Sequence, residues 1–171
     1  MIKNIVFDMG NVLTNLHCLQ RMRTPFELQN DFSVAILGLS KFFREEVAVT
    51  AQTMQIGNRP CRIYGEAHAK YLLLQMTGEH ELQSMESEVA AIAQSAHHFL
   101  FAAIPVASWN DALSPWEAPA VWGKQGFGGN AADTLRFLTE QVIPTLNQQY
   151  PLPENVKIIL GGYSLAGLFA L

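Results

Sequence analysis

The sequence predicts an α/β domain with a mainly parallel sheet and flanking helices. Short apolar runs of strand length recur from about residue 54 onward, and segments with helical spacing separate them. Strands that alternate with helices form βαβ units, in which the strands run parallel. The chain has 171 residues, of which 49% are hydrophobic and 15% charged, and this composition is typical of a globular domain with one substantial core.

Charge and hydropathy argue against several classes of partner. The net charge is −4 and no block of Lys or Arg occurs, so neither a nucleic acid nor a membrane is expected as a partner. The longest apolar run, FLFAAIPVA, is interrupted by Pro105 and is far shorter than the ~20 residues that span a bilayer. Cys18 and Cys61 have neither metal-site nor CxxC spacing, which predicts a reducing, cytoplasmic location.

The chain divides into two segments at about residue 53. Residues 1–53 begin with NIVFDMGNVL, which predicts a short buried strand and a tight turn, and continue without a clear pattern. Residues 54–171 are regular and form the main predicted domain.

The first half of the main domain predicts three strands and a helix. In GEHELQSMESEVAAIAQSA (residues 78–96) the apolar residues share one face of a helix, and the acidic stretch EHELQSMESE is expected to be a solvated face. The strands are predicted in CRIYGE (61–66), KYLLLQM (70–76) and HFLFAAIPVA (98–107).

The second half contains a long connection, a long helix, a strand and the start of a helix. Residues 108–130 are rich in Pro, Gly and Trp, and their aromatic residues either pack the connection onto the sheet or wall a pocket. Asn130 is placed to cap the helix AADTLRFLTEQVIPTLNQQY, which Pro144 is expected to kink. The final elements are the strand VKIILGG (156–162) and the helix start LAGLFAL (165–171).

The segment between the last strand and the last helix has the features of a turn that exposes a nucleophilic serine. Gly162 lies two residues before Ser164 and Ala166 two residues after it, so small side chains flank the bend. A serine hydroxyl is a weak nucleophile and needs exposure at a sharp bend, a base, and donors for the developing oxyanion. Strand, turn and helix in this order are the context of a nucleophile elbow.

With that elbow, residues 54–171 resemble the N-terminal half of an α/β-hydrolase of the bacterial esterase-like kind. The resemblance is carried by KYLLLQMTGEHE, by FLFAAIPVASWNDALSPWEAPAVWGKQGFGG, by AADTLRFLTEQVIPTL and by ILGGYSLAGLFAL. It implies Ser164 as nucleophile and the backbone N–H of Leu165 as one oxyanion donor. A second donor would come from the loop around Thr77 and Gly78, although this loop lacks the family's His-Gly pattern.

The same resemblance implies a carboxylic-ester hydrolase that forms an acyl-enzyme on Ser164. It implies a small-molecule ester as substrate and neither a metal nor an organic cofactor. The elbow departs from the family pattern at Ala166, which replaces the second glycine with another small residue.

The rest of the catalytic triad is missing from the expected positions. The family order is Ser, then Asp or Glu, then His, but no Asp, Glu or His follows Ser164. We therefore expect an incomplete copy, truncated after the elbow, with little or no turnover. Five histidines precede the elbow, and each is expected to be a surface or strand-end residue: His17, His68, His80, His97 and His98.

The N-terminal segment supports an alternative function. The run IVFDMGNVL resembles the first motif of haloacid-dehalogenase-type phosphatases, in which the matching residue, Asp8, attacks phosphorus and helps to bind Mg²⁺. Gly10 stands where many relatives carry a second aspartate, which leaves the general-acid role open. The chain has four aspartates, Asp8, Asp31, Asp111 and Asp133, and none are adjacent or in the GDxxxD-like pattern that would complete the magnesium site.

A third alternative is a non-catalytic remnant or interaction protein. In a truncated sheet the strand VKIIL would lie at the edge, where self-association is possible. Two enzyme-like beginnings in one chain also suggest a fusion, in which a phosphatase-like opening over residues 1–17 precedes a hydrolase that begins near Met54.

Overall fold

The computed structural model of the protein describes residues 50–82, 84–121 and 123–171. The phosphatase-like motif with Asp8 lies outside the described residues, as do His17 and Cys18. The strands are β1 (Gln52–Ile56), β2 (Arg59–Gly65), β3 (Tyr71–Gly78), β4 (Phe99–Val106), β5 (Glu117–Ala118), β6 (Phe127–Gly128) and β7 (Lys157–Gly161). The helices are α1 (Met85–Ala93), α2 (Trp109–Leu113), α3 (Ala131–Phe137), α4 (Ile143–Gln149) and α5 (Leu165–Phe169).

The central sheet is mixed, so the prediction of a mainly parallel sheet is wrong. Its five strands lie in the order β1-β2-β4-β3-β7. β4, β3 and β7 run parallel, whereas β1 with β2 and β2 with β4 are antiparallel. β1 and β2 are joined by Gly57 and Asn58 alone, and Gly57 has a φ of 59°. A two-residue connection can only join antiparallel strands, and its turn requires positive φ.

Helices cover both faces of the sheet. β4 is buried along its whole length because it lies at the centre of the sheet, with both faces covered. Alternate side chains of β3, such as Leu72 and Leu74, form one core with residues of α2, α3, α4 and α5. Phe101 and Tyr64 form a second core with Val89 of α1 on the other face.

The predicted helix over residues 131–150 is present but not regular. A π-helical turn at Leu138–Val142 separates α3 from α4. Pro144 lies just after this turn, within a helical stretch that continues to Gln149. Because proline has no N–H to donate to the carbonyl one turn back, the helix departs from regular α geometry around it. The predicted side-chain cap by Asn130 does not form; instead the Asn130 carbonyl accepts the N–H groups of Asp133 and Thr134.

The connection between β4 and α3 is more ordered than its composition suggests. It contains α2 and the small β5–β6 hairpin. Its end is fixed to its start, because the Gly129 N–H donates to Ser114 Oγ and the Asn130 N–H donates to the Asp111 carbonyl, at 2.8 and 2.9 Å. In the described part of the chain, no helix has the length and apolar character needed to cross a membrane.

Candidate active site

The candidate site lies where the three parallel strands end. β3 ends at Gly78, which pairs with Val106 at the end of β4, and β7 ends at Gly161. The carboxyl ends of parallel strands meet at one edge of the sheet, which is where open α/β sheets bind their ligands. The turn after β7 and the loop after β3 are therefore neighbours at this edge.

Ser164 lies at a sharp turn with a backbone conformation that residues with a side chain rarely adopt. Its φ of 52° and ψ of −125° lie in a region that favours glycine, and it directly precedes α5. The carbonyl before it, that of Tyr163, accepts the Ala166 N–H at 3.0 Å and the Gly167 N–H at 3.3 Å. The Ser164 residue is exposed. Such strain in a non-glycine residue occurs mainly at functional sites, and here it presents an accessible hydroxyl.

The elbow depends on the absence of a side chain at Gly162. A Cβ built there would lie 2.5 Å from Ala166 Cβ and 2.9 Å from the Ala166 carbonyl carbon. Real Cβ atoms do not come so close to backbone, so the turn and the first residues of α5 can approach only because residue 162 is glycine. The small side chain of Ala166, which departs from the family pattern, is fully buried at this contact.

The predicted oxyanion donors differ in availability. The N–H groups of Ala166 and Gly167 already bond within the turn, whereas the described part of the chain holds no acceptor for the N–H of Leu165. A free donor next to the nucleophile is what stabilisation of an oxyanion requires. The role of Leu165 nevertheless stays a prediction.

The predicted oxyanion donor in the loop after β3 is already engaged in a hydrogen bond. Thr77 is buried in β3 opposite Pro105, and its Oγ1 has no hydrogen-bond partner among the described residues. The N–H of Gly78 donates to Glu81 Oε2 at 2.7 Å. Gly78 can therefore serve as an oxyanion donor only if this bond opens.

Two residues that sequence reasoning did not single out connect this loop to the elbow. The Tyr163 hydroxyl donates to Glu81 Oε1 at 2.5 Å, and the Tyr163 ring packs against Trp109 with centroids 5.5 Å apart. The hydrogen bond to Glu81, together with burial, raises the pKa of Tyr163 to about 12. The sequence predicts Glu81 on the solvated face EHELQSMESE, and for this residue the prediction is wrong. Both of its carboxylate oxygens accept hydrogen bonds from protein groups.

An open cleft of about 400 Å³ adjoins these residues. Its walls combine the loop after β3, the end of β4 and α2 with the elbow residue Tyr163. Ser164 is the next residue after Tyr163 but is not part of this lining. The cleft is lined by residues that include Gly78, His80, Glu81, Val106, Trp109 and Tyr163.

The structure brings one described histidine to this edge of the sheet. His68, His97 and His98 precede β3 or β4 and so lie at the opposite, amino-terminal edge, where His98 Nδ1 contacts Glu66 at 3.0 Å. His80 lines the cleft, with 87% of its side chain exposed. In residues 50–171, leaving aside positions 83 and 122, no side chain bonds to the Ser164 hydroxyl, and a general base is not identified there.

Comparison with known proteins gives a likeness of shape alone. No protein-family model matches the chain, and no curated protein matches it in sequence. A BES protein from Bacillus cereus is 11% identical with a TM-score of 0.46, and its match covers 78% of this chain and 59% of that one. The siderophore hydrolase EstA from Aspergillus nidulans is 17% identical with a TM-score of 0.44, over 78% of this chain and 54% of that one.

The chain thus spans between 54% and 59% of the length of these two structures. Similarity at this level does not bear on the chemistry of the site. The chain has an α/β architecture with a mixed sheet and flanking helices. The Asp8 alternative stays a prediction, because that residue lies outside the described part of the chain.

Proposed function

We propose that this protein is an α/β-hydrolase-type serine hydrolase that acts on small carboxylic esters. One observation carries the proposal: Ser164 adopts a strained φ of 52° at an exposed bend between β7 and α5. An ordinary surface turn would place glycine or asparagine there. A serine held in this conformation indicates a hydroxyl that is presented for reaction.

The proposed reaction is acyl transfer to Ser164 followed by hydrolysis. The Ser164 Oγ attacks the ester carbonyl carbon and its proton passes to solvent water. The tetrahedral intermediate then breaks its bond to the alcohol oxygen, which takes up a proton from water as the alcohol leaves. The N–H of Leu165 donates to the developing oxyanion. Water then attacks the acyl-enzyme and releases the acid.

We expect acylation to be slow in this chain. No side chain in the described residues bonds to the Ser164 hydroxyl, and the cleft residue His80 is largely exposed. When triad partners are removed from a serine hydrolase, a residual rate of about 10³–10⁴ over water remains from binding and the oxyanion donors. Turnover of this size depends on Ser164 but stays far below that of a serine hydrolase whose base is in place.

A fluorophosphonate probe tests the proposal directly, because it forms a covalent bond with an activated serine. We expect time-dependent labelling of the whole chain, mapped by mass spectrometry to the peptide that contains Ser164. Ser164→Ala should abolish the labelling, whereas Ser95→Ala, at an exposed serine after α1, should not change it. Labelling that persists in Ser164→Ala, or none in the wild type, would contradict the proposal.

Hydrolysis of p-nitrophenyl acetate then measures how impaired the chain is. The expected result is slow release of p-nitrophenol that is lost in Ser164→Ala. Rapid Ser164-dependent turnover would support the hydrolase function but would show that the expected impairment is wrong.

A second proposal is self-association through the edge of the sheet. It is supported by the position of β7, which pairs with β3 on one side and is the outermost strand of the sheet in the described residues. An unpaired strand edge is a template for pairing with another chain. This proposal is compatible with the first.

A further inference from the structure

We propose that Glu81 is a positioning residue that ties the loop after β3 to the nucleophile elbow through Tyr163. The proposal rests on the proposed hydrolase function, since it concerns the orientation of Ser164. Glu81 does not touch the nucleophile itself. It acts through the residue that directly precedes Ser164 in the chain.

Both oxygens of the Glu81 carboxylate are used, one on each side of the site. Oε2 accepts the Gly78 N–H at 2.7 Å, which is the reciprocal half of a capping box on the 3₁₀ turn Glu79–Glu81. Oε1 accepts the Tyr163 hydroxyl at 2.5 Å. With 21% of its side chain exposed, Glu81 is half-buried, and hydrogen bonds to a charged acceptor are about twice as strong as neutral ones.

Tyr163 is held from a second direction as well. Its ring packs on Trp109 of α2 at a tilt of 35°. Two contacts from different elements leave the phenol little freedom, and its backbone carbonyl accepts the first N–H groups of the turn into α5. The side-chain contacts and the carbonyl bonds thus hold Tyr163 from both ends, and the backbone continues directly from it to Ser164.

The tether also explains why Gly78 is not free to act as an oxyanion donor. Its N–H is taken by a carboxylate that at the same time fixes Tyr163. His80 lies 3.9 Å from Glu81 but is largely exposed, so it does not replace either bond. In this geometry the loop after β3 stabilises the turn at Ser164 through the bond between Glu81 and Tyr163.

The first experiment detects the tether without using activity. Tyrosine ionisation is followed by ultraviolet absorbance up to about pH 11, above the ordinary tyrosine pKa of about 10. The difference between wild type and Tyr163→Phe isolates Tyr163 among the four tyrosines. We expect no Tyr163 ionisation in the wild type over this range. In Glu81→Gln, compared with Glu81→Gln/Tyr163→Phe, we expect Tyr163 to ionise at lower pH than in the wild type, because the carboxylate is gone while the burial remains.

The second experiment measures the effect on Ser164. The rate of fluorophosphonate labelling should fall about tenfold to a hundredfold in Glu81→Gln and in Tyr163→Phe, because small misplacements of a reacting group have effects of this size. The double variant should be no slower than the slower single variant, because both changes affect the bond between Glu81 and Tyr163 and only Glu81→Gln also affects the bond to Gly78. Glu140→Gln, at an exposed position in the π-helical turn, is the matched control and should label at the wild-type rate.

The outcomes separate the two proposals. Ser164 labelling in the wild type with unchanged rates in Glu81→Gln and Tyr163→Phe would overturn the positioning role and leave the hydrolase proposal standing. An unchanged Tyr163 titration in Glu81→Gln would overturn the tether itself. Absence of Ser164 labelling in the wild type would overturn the hydrolase function, and the positioning role with it, whatever the titration shows.

Discussion

Ser164 holds a backbone conformation that is unfavourable for any residue with a side chain. A non-glycine residue in such a region costs about 1–3 kcal/mol, which the surrounding fold must offset. Around Ser164 the offset comes from the turn bonds to the Tyr163 carbonyl and from the packing of buried Ala166. The strain is local, so it can be relieved by a change at this residue alone.

We expect Ser164→Gly to be more stable than Ser164→Ala by about 1 kcal/mol, because glycine adopts positive φ without steric conflict. Both variants lack the hydroxyl, so both should fail to react with the fluorophosphonate. Urea denaturation of the two variants measures the difference. Equal or reversed stabilities would mean that Ser164 is not strained in solution.

Neighbouring glycines provide a matched pair at the end of β7. In Gly162→Ala the new methyl group would meet Ala166 at 2.5 Å, and overpacking of this kind costs about 1–3 kcal/mol. At Gly161 a methyl group would have no atom within 4 Å, so Gly161→Ala should change the free energy of unfolding by less than about 0.5 kcal/mol. Thermal melting of both variants checks this, and a similar loss in each would show that the close approach is not specific.

The thiol of Cys61 should be unreactive at neutral pH. Cys61 has no exposed surface, and burial raises its pKa to about 11, against a smaller opposing effect of Arg59. A raised pKa means that the thiolate, the reactive form, appears only as pH approaches 11 in the folded protein. The unfolded thiol ionises nearer 9, so the associated stability is present below pH 9 and is lost between 9 and 11.

In a Cys18→Ser variant, which leaves Cys61 as the sole thiol, a disulfide reagent at pH 8 should react slowly until denaturant is added. Reaction at the rate of a free cysteine in the folded protein would contradict the burial of Cys61.

Among the elements, those with continuous apolar runs were predictable from the sequence. β3, β4 and β7 are all present where KYLLLQM, FLFAAIPVA and VKIIL predict them. β4 is buried along its whole length, and the apolar residues of β3 and β7 are buried or half-buried, so each strand shows as an apolar run. β1 was missed since QTMQI is mostly polar and exposed. The direction of β2 was also missed, because an apolar run does not encode whether a strand runs parallel or antiparallel to its neighbour.

The candidate site was predictable only in part, for a related reason. Ser164 and Leu165 belong to a local motif, and the spacing of small residues around them is visible in the sequence. Glu81 and Tyr163 meet although 82 residues separate them, and no local pattern indicates such a contact. The only feature of the sequence that pointed to either residue was the position of Tyr163 directly before Ser164.

The helix that contains the π-helical turn is anchored by buried leucines. Leu146 of α4 is fully buried in the core beneath the sheet, whereas Gln148 is exposed. We expect Leu146→Ala to lower the free energy of unfolding by about 2–5 kcal/mol. Gln148→Ala should change it by no more than about 0.5 kcal/mol. Chemical denaturation tests both, and a small loss in Leu146→Ala would mean that α4 does not pack on the sheet as described.

At the scale of the whole molecule, the edge of β7 decides how copies of the chain can meet. The Lys157 N–H donates to the Lys70 carbonyl, so by alternation the N–H of Ile158 points away from β3. Proline at an outward-facing edge position removes no bond within the sheet. Ile158→Pro therefore blocks pairing with another strand and leaves the β3–β7 ladder intact.

Sedimentation velocity over a range of concentrations tests the proposed self-association. We expect the wild type and Ile158→Ala, which loses the same side chain but keeps its N–H, to associate as concentration rises. Ile158→Pro should remain monomeric. A monomeric wild type at every concentration, or association of Ile158→Pro equal to that of Ile158→Ala, would contradict association through β7.

The contact between Glu81 and Tyr163 has a consequence for the order of folding. It closes a loop of 82 residues, whereas the β1–β2 hairpin closes over two. Contacts between distant parts of a chain form more slowly than local ones, since their loop-closure entropy must be overcome first. The elbow thus gains its support only when β7 has joined the sheet. We expect the Glu81–Tyr163 contact to form in the last kinetic phase of refolding, so Glu81→Gln should change the unfolding rate more than the folding rate.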